Sequence, residues 1–417
     1  MGRILDAVVP ARLGPRFRWM LASSWMSNLG DGIAVAAGPL LVASLTDDPR
    51  LIAMAAVAQW TPPFLFGLLA GALADRLDRR LMVLTGDIGR AVVLVGLVAL
   101  IATDRVDIGV LLAALFVIAT LETFADGAHT TVLPMIVPRS DLGVANARFQ
   151  FGFMGINRLA GPPIGAALFT AGVVWPFVAQ LVCMAFGALL FARILLPPVE
   201  RSREGTHVLQ DIVEGFRWSM RHPAMRALNL QIVTFNVTYG AAFAVLVYYA
   251  QERLGLGPGG YGALLTATAV GGVIGAASYG WLERHVAIRN IMRWGLLLET
   301  LTHLTLAWTS SAVVAGGILL LFGIHESYWG ATASSVRQRA VPDELQGRVA
   351  SVYVIFMMGG VVAGSALGGL IAKQWGVTAP YWFGFVGSGL ILACLWGELG
   401  RIAHADEEIR RSAEADR

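Results

Sequence analysis

Gly71-Ala72-Leu73-Ala74-Asp75-Arg76-Leu77-Asp78-Arg79-Arg80 is a short charged island between two long apolar runs, residues 51–74 and 81–103. Each run exceeds the roughly 20 residues that an α-helix needs to cross a bilayer core. The same alternation extends in both directions. Twelve such runs are predicted, at 17–44, 51–74, 81–103, 108–132, 148–170, 173–196, 226–250, 261–283, 290–309, 313–336, 350–372 and 379–399. They are numbered here as spans one to twelve. Lipid offers a backbone amide no partner, so helices are the expected form.

Composition agrees. Of 417 residues, 56% are hydrophobic and 14% charged, against about a quarter charged in soluble domains. That is too little charge to clothe soluble domains and too much apolar content for a disordered chain. The formal net charge of +3 is small and scattered, which argues against a nucleic-acid partner. Cys183 and Cys394 both sit in apolar runs, so no disulfide framework is indicated. Lys373 is the sole lysine and lies between Ala372 and Gln374, so no Gly-Lys-Ser/Thr nucleotide loop is present. The seven histidines show no metal-ligand spacing, and neither a metal nor a cofactor is expected. The first run is too long for a signal-peptide core, so no removal is expected. Asp6 occupies the position where myristoylation requires Ser or Thr.

Arginines report orientation. Twenty-five lie on one side of the twelve spans; Arg50, Arg105, Arg253 and Lys373 lie on the other. The expectation is a multi-pass protein of the cell membrane with both termini in the cytoplasm. The longest polar break, 197–225, carries Leu209, Ile212, Val213, Phe216 and Met220 at helical spacing, with Asp211, Glu214, Arg217 and Arg221 facing away. It predicts an amphipathic helix on the cytoplasmic membrane surface. The implied organisation is a bundle at 1–199, a linker at 200–224, a second bundle at 225–400 and a tail at 401–417.

The halves repeat. Glu122 and Glu326 are 204 residues apart, as are Pro138 and Pro342, Phe124 and Tyr328, and Thr130 and Ser334. Gly71 and Gly280 are 209 apart, and Gly280-Trp-Leu-Glu-Arg284 is a weaker copy of the opening motif. Parallel repeats of this kind occur in two-bundle secondary transporters.

Placed between spans two and three of twelve, the Gly71–Arg80 loop resembles the signature loop of the major facilitator superfamily, and the resemblance covers essentially the whole chain. It implies an all-α membrane protein with two six-helix bundles around a central cavity lined by spans one, four, seven and ten. It also implies that Gly71, Asp75, Arg76, Arg79 and Arg80, echoed by Gly280 and Arg284, form a latch between inward-open and outward-open states. Gly71 is expected at a close helix approach. Asp78 stands where that family often has glycine. Gly161, Pro162 and Gly165 in span five resemble the kinked motif of the exporting branch, and phrases such as Gly215-Phe216-Arg217 resemble bacterial macrolide and siderophore exporters.

Ionisable groups inside spans cost about 2.5–3.5 kcal/mol on insertion scales and mark function. Asp31, with Asn28 one turn before it, lies in span one. Glu122 and Asp126 lie at i, i+4 in span four, Arg158 in span five, and His325 and Glu326 in span ten. Together with Asn236 and Tyr239 of span seven, these are the candidate substrate and proton pathway. Arg158 is the expected partner of the acids. Asp87 with Arg90, and Glu299 with His303, read as local pairs. Aromatic residues such as Phe124, Phe235 and Tyr328 suit an amphipathic organic substrate. The expected function is secondary active export of small amphipathic compounds, driven by protons, by a monomer in a lipid bilayer. Import of a nutrient, movement of a lipid and a non-transporting sensor or scaffold are the alternatives. An enzyme is not expected, since no nucleophile–base cluster is present.

Overall fold

The structure is a computed structural model that describes residues 11–74, 76–196 and 208–397. Helices occupy all twelve predicted spans. They run Gly14–Leu45, Pro49–Ala74, Arg79–Ala102, Ile108–Ile136, a three-part span five, Trp175–Ala192, a two-part span seven, Pro258–His285, Ile288–Trp308, Ala312–Ala340, Gln346–Trp375 and Ala379–Leu395. Among the described residues, eight helices are long and apolar enough to cross a membrane. A ninth is the pair Met225–Phe243 and Leu246–Glu252, bent by 40°.

Short polar residues start several of these helices. Asp78 accepts from the Leu81 amide at 3.0 Å and caps span three. Asp107 accepts from the Gly109 and Val110 amides and caps span four. Each satisfies amides that a helix start leaves without partners. The departure from glycine at Asp78 thus has a local purpose.

Span five is not a simple kinked helix. Leu142–Phe151 is α-helical, Gly152–Ala160 is a π-helix, and Gly161–Ala171 resumes as α. The Gly161 amide reaches back to the Ile156 carbonyl, five residues earlier. Pro162 and Pro163 carry no amide hydrogen, so the preceding turn loses its ordinary donors and widens.

Two compact units emerge. The first comprises the described parts of Met1–Asp47, Ala58–Thr206 and Gly257–Thr266; the second those of Asp48–Val57, His207–Leu256 and Ala267–Arg417. In the first, span one packs against spans five and six, and span three against four and six. Phe17, Leu21, Val132 and Phe191 fill its core. In the second, span seven packs against eleven and twelve, and span nine against ten and twelve. Met292, Leu296, Trp329 and Ala333 fill that core.

Glycines set the approach of span five to span one and of span eleven to span seven. A Cβ on Gly161 would lie 2.5 Å from the Gly32 backbone, and one on Gly364 would press on the Val237 carbonyl oxygen. Gly165 against Ile33, and Gly368 against Ala241, make similar backbone contacts one turn further along. Gly71 is different. Among the described residues, nothing lies within 4 Å of a Cβ built there, nor of one on Gly280, so neither marks the close approach expected of it.

The amphipathic linker helix, Val208–Arg221, belongs to the second unit. It was expected on the lipid surface. It docks on the start of span eleven through Gly215 and its acids: Gly215 faces the Arg348 carbonyl, Arg348 pairs with Asp211 at 2.8 Å and Glu214 at 2.9 Å, and Val213 and Phe216 stay exposed. The acids that pattern alone assigned to solvent have a protein partner.

Candidate functional site

Arg90 is the centre of the first unit's polar interior. Only 2% of its side chain is exposed. Its Nη2 donates to Asp31 Oδ1 and, at 3.3 Å, to Glu122 Oε2, while Nη1 lies 3.8 Å from Asp87 Oδ1 one turn earlier on span three. Spans one, three and four therefore meet through a single guanidinium. Its planar fork suits several carboxylates at once, which an ammonium would serve less well. Asp126 follows Glu122 by one turn and lines the same cavity of about 250 Å³. Ser24, Ser27, Asn28, His129, Gln150 and Asn157 complete much of the wall.

The wall is braced across helices. Asn157 Nδ2 donates to the Asn28 carbonyl at 3.2 Å, joining the π-helical turn to span one. Asn28 Nδ2 donates to the Ser24 carbonyl at 2.8 Å. His129 packs between Phe149 and Phe191, each at 5.7 Å between ring centroids. Gly32 lets span five lie directly on span one beside Asp31.

Three carboxylates share one guanidinium here, and a fourth, Asp126, lines the same cavity. Arg90 is sealed, Glu122 is one-third exposed, and Asp126 is open to the cavity. A buried charge persists only when paired.

Arg158, the expected partner, is exposed, with its guanidinium 5.5 Å from the Phe153 ring centroid. Asn157, its neighbour, is the residue that faces the cavity. Asp87 and Arg90, read as a local or latch-associated pair, do make the local contact, and Arg90 reaches Asp31 and Glu122 as well.

In the second unit the predicted residues are more dispersed. Asn236 is buried and donates to the Ile232 carbonyl of its own helix at 2.7 Å. Tyr239 stacks with Phe243 at 4.2 Å and with Phe235 and Phe322 at about 6 Å. His325 is 3% exposed and sits edge-on to Phe235 and Phe322. Glu326 is partly buried on the next position. Glu299 does not pair with His303; it accepts from Thr238 Oγ1 at 3.1 Å.

Of the loop residues, Asp75 lies outside the described residues. Arg79 donates to the Ala74 carbonyl at 2.9 Å, and Arg80 to the Ile194 and Ala192 carbonyls at 2.9 and 2.7 Å. These arginines close the C-terminal ends of spans two and six, where carbonyls lack helix partners. Arg284 donates to the Gly280 carbonyl of its own helix. Arg76 sits in the turn, its amide bonded to the Leu73 carbonyl.

Comparison with known proteins assigns this architecture. A family of the major facilitator type described as transmembrane secretion effector matches residues 8–415. The chain belongs to the major facilitator superfamily. It is 26% identical over 379 residues to the multidrug efflux pump Tap of Mycolicibacterium fortuitum, covering 87% of this chain and 90% of that one. It is 24% identical over 408 residues to the enterobactin exporter EntS of Shigella boydii serotype 4, covering 95% and 96%. Among solved structures, the nucleoside transporter NupG superposes with a TM-score of 0.71 at 11% identity, covering 93% of this chain and all of that one. This major facilitator protein is thus a multi-pass membrane transporter and not an enzyme. The sensor or scaffold reading falls away.

Proposed function

We propose that this transporter exports small amphipathic organic compounds in exchange for protons. The observation that carries the reading is the Arg90 cavity, where one guanidinium meets Asp31, Asp87 and Glu122 and Asp126 lines the same wall. Asp126, open to the cavity, exchanges protons first. Glu122, bonded to Arg90 through one oxygen, relays the change to the helix contacts. Loading a proton loosens the hold of Arg90 on span four; releasing it restores that hold. A cationic or strongly polarised substrate competes for the same acids, which couples its exit to proton entry. The names of Tap and EntS, a drug pump and a siderophore exporter, support the substrate class and the direction. One charge crossing 100 mV yields about 2.3 kcal/mol, and a pH gradient adds to it.

In this reading the protein acts as a monomer in the cell membrane with both termini cytoplasmic, as the arginine bias requires. The halves at 1–199 and 225–400 are the two bundles that alternate between inward-open and outward-open states. The Gly71–Arg80 loop, with Gly280 and Arg284, is the latch, and the π-turn ahead of Gly161, Pro162 and Gly165 is the deformable joint. Asn236, Tyr239, His325 and Glu326 are the second half's contribution to the pathway, and Arg158 a charge that the joint brings inward or turns away.

The test is transport into inverted membrane vesicles against a panel of amphipathic compounds, with and without an imposed pH gradient. The expected result is gradient-dependent uptake by the natural protein. Glu122→Gln and Asp126→Asn are expected to abolish it while leaving a folded, monodisperse protein. Full gradient-driven uptake by both variants would overturn the assignment of these acids.

A further inference from the structure

We propose that Glu299, Thr238 and His303 form a second proton-binding site, lodged between spans seven and nine of the second unit. Its coupling to transport rests on the exporter reading above; its protonation does not.

Glu299 is 1% exposed and His303, one turn further along span nine, is 3% exposed. Among the described residues, no basic nitrogen lies within ion-pair distance of the Glu299 carboxylate, and neither ring nitrogen of His303 has a hydrogen-bond partner. A buried carboxylate without a cation is tolerated only if it carries a proton or acquires a partner. A buried imidazole with two orphaned nitrogens is likewise short of one.

Thr238 supplies the means to hold either state. Its hydroxyl has one hydrogen and three oxygens within reach: the Thr234 carbonyl at 3.1 Å, the Phe235 carbonyl at 3.0 Å and Glu299 Oε1 at 3.1 Å. When Glu299 is protonated, its O–H donates to Thr238 Oγ1, and Thr238 donates to its own helix. When Glu299 is ionised, Thr238 turns its hydrogen to the carboxylate. One hydroxyl rotation thus accommodates both protonation states. The proton has a second resting place on His303, whose ring is one turn away, a gap that a side-chain rotation or one bridging water closes. In that state the pair is carboxylate and imidazolium, and the orphaned nitrogens gain a partner.

The seat of the imidazole is made for it. A Cβ on Gly384 of span twelve would lie 2.7 Å from ring carbons of His303. The neighbouring elements add few charges. Span twelve presents Tyr381 and Ser388 and carries no charged residue; span ten presents His325 beside Gly295, with Glu326 next to it; span seven presents Thr238. On span nine itself Arg289 and Arg293 lie in the first turns, and Arg293 donates to the Trp396 carbonyl. Glu299 also stands 209 residues after Arg90, the offset that relates Gly280 to Gly71. The repeat therefore places the buried charge-bearing residue of each half at the same position of its third span.

The test is infrared spectroscopy of the purified full-length chain in phosphatidylcholine nanodiscs, following the carbonyl stretch of protonated carboxyl groups as pH is stepped. One titrating component, equivalent to one carboxyl per chain, is expected to vanish in Glu299→Gln. His303→Asn is expected to move its midpoint to higher pH by about one unit, a tenfold change in proton affinity. If Glu299→Gln does not fold, Thr238→Val carries the test, because loss of the hydroxyl shifts the frequency of the same component. A Glu299→Gln spectrum identical to that of the natural protein at every pH, a midpoint unmoved by His303→Asn, or a frequency unmoved by Thr238→Val would overturn the proposal. In vesicles, Glu299→Gln is expected to slow gradient-driven export several-fold while leaving substrate exchange at equal pH unchanged; equal slowing of both would overturn the coupling. Absence of gradient-driven transport by the natural protein would sink the exporter reading and leave the infrared result standing.

Discussion

The two halves solve the same packing problem with different chemistry. In the first, span five lies on span one through Gly161 and Gly165; in the second, span eleven lies on span seven through Gly364 and Gly368. The glycines match, but Pro162 and Pro163 have no counterpart among Gly364, Ser365 and Ala366. Span eleven accordingly runs as one unbroken helix, Gln346–Trp375, while span five carries a nine-residue π-segment. The polar interiors diverge in the same sense. Arg90 binds carboxylates from two other spans, whereas Glu299 meets a hydroxyl. Small residues set the architecture that both halves share; prolines and charges then make the first half the deformable, ionic one.

The comparison breaks most visibly at Arg90. Arg90→Met leaves Asp31 and Glu122 without their guanidinium, and removal of one partner of a buried pair costs about 3–5 kcal/mol. The purified variant is expected to unfold well below the natural protein in a thermal melt. Glu299→Gln keeps its shape and its contact with Thr238, so its melt is expected to stay close to that of the natural chain. Equal losses would erase the distinction between an ionic and a neutral interior.

The packing glycines come next. Gly165→Val and Gly368→Val each force a side chain into backbone already in contact, and overpacking of this kind costs about 1–3 kcal/mol. Gly71→Val has open space around it and is expected to leave the melting temperature nearly unchanged. A drop in only one half would mean that the shared glycine architecture is not equally important to both.

The smallest effect lies at the starts of the third spans. Asp78 caps span three, and Ala287, 209 residues on, begins span nine with no side-chain cap. Asp78→Ala is expected to cost about 1 kcal/mol, and Ala287→Asp to recover a similar amount in the second half. Denaturation of the two variants side by side measures whether the repeat is symmetric at this turn.

Much of this was legible in advance. All twelve runs became helical because their length and apolarity leave no other way to satisfy the backbone in lipid. Asp31, Glu122 and Asp126 were singled out by the cost of charge inside such runs, and they do share one cavity. Arg90 was passed over because Asp87 three residues before it offered a nearer explanation. Glu299 and His303 were misread for the same reason: i, i+4 spacing suggests a pair, yet Thr238 of another helix took the acid. The amphipathic pattern of Val208–Arg221 was real, and its acids Asp211 and Glu214 found a partner in Arg348 that the pattern did not name. One usable signal was missed, the 209-residue offset that sets Glu299 against Arg90.

By itself, the amino-acid order determined the number and placement of the helices, the break at the paired prolines and the helix start at Asp78. Those follow from hydropathy, a missing amide hydrogen and a short acceptor side chain, all of which act within a few residues. Which acid meets which base was left to tertiary structure. Asp31 and Glu122 lie 59 and 32 residues from Arg90, and their meeting depends on how each helix is rotated about its axis. That rotation is constrained by close glycine contacts between helices, and in span five it leaves Asn157 at the cavity wall and Arg158 exposed.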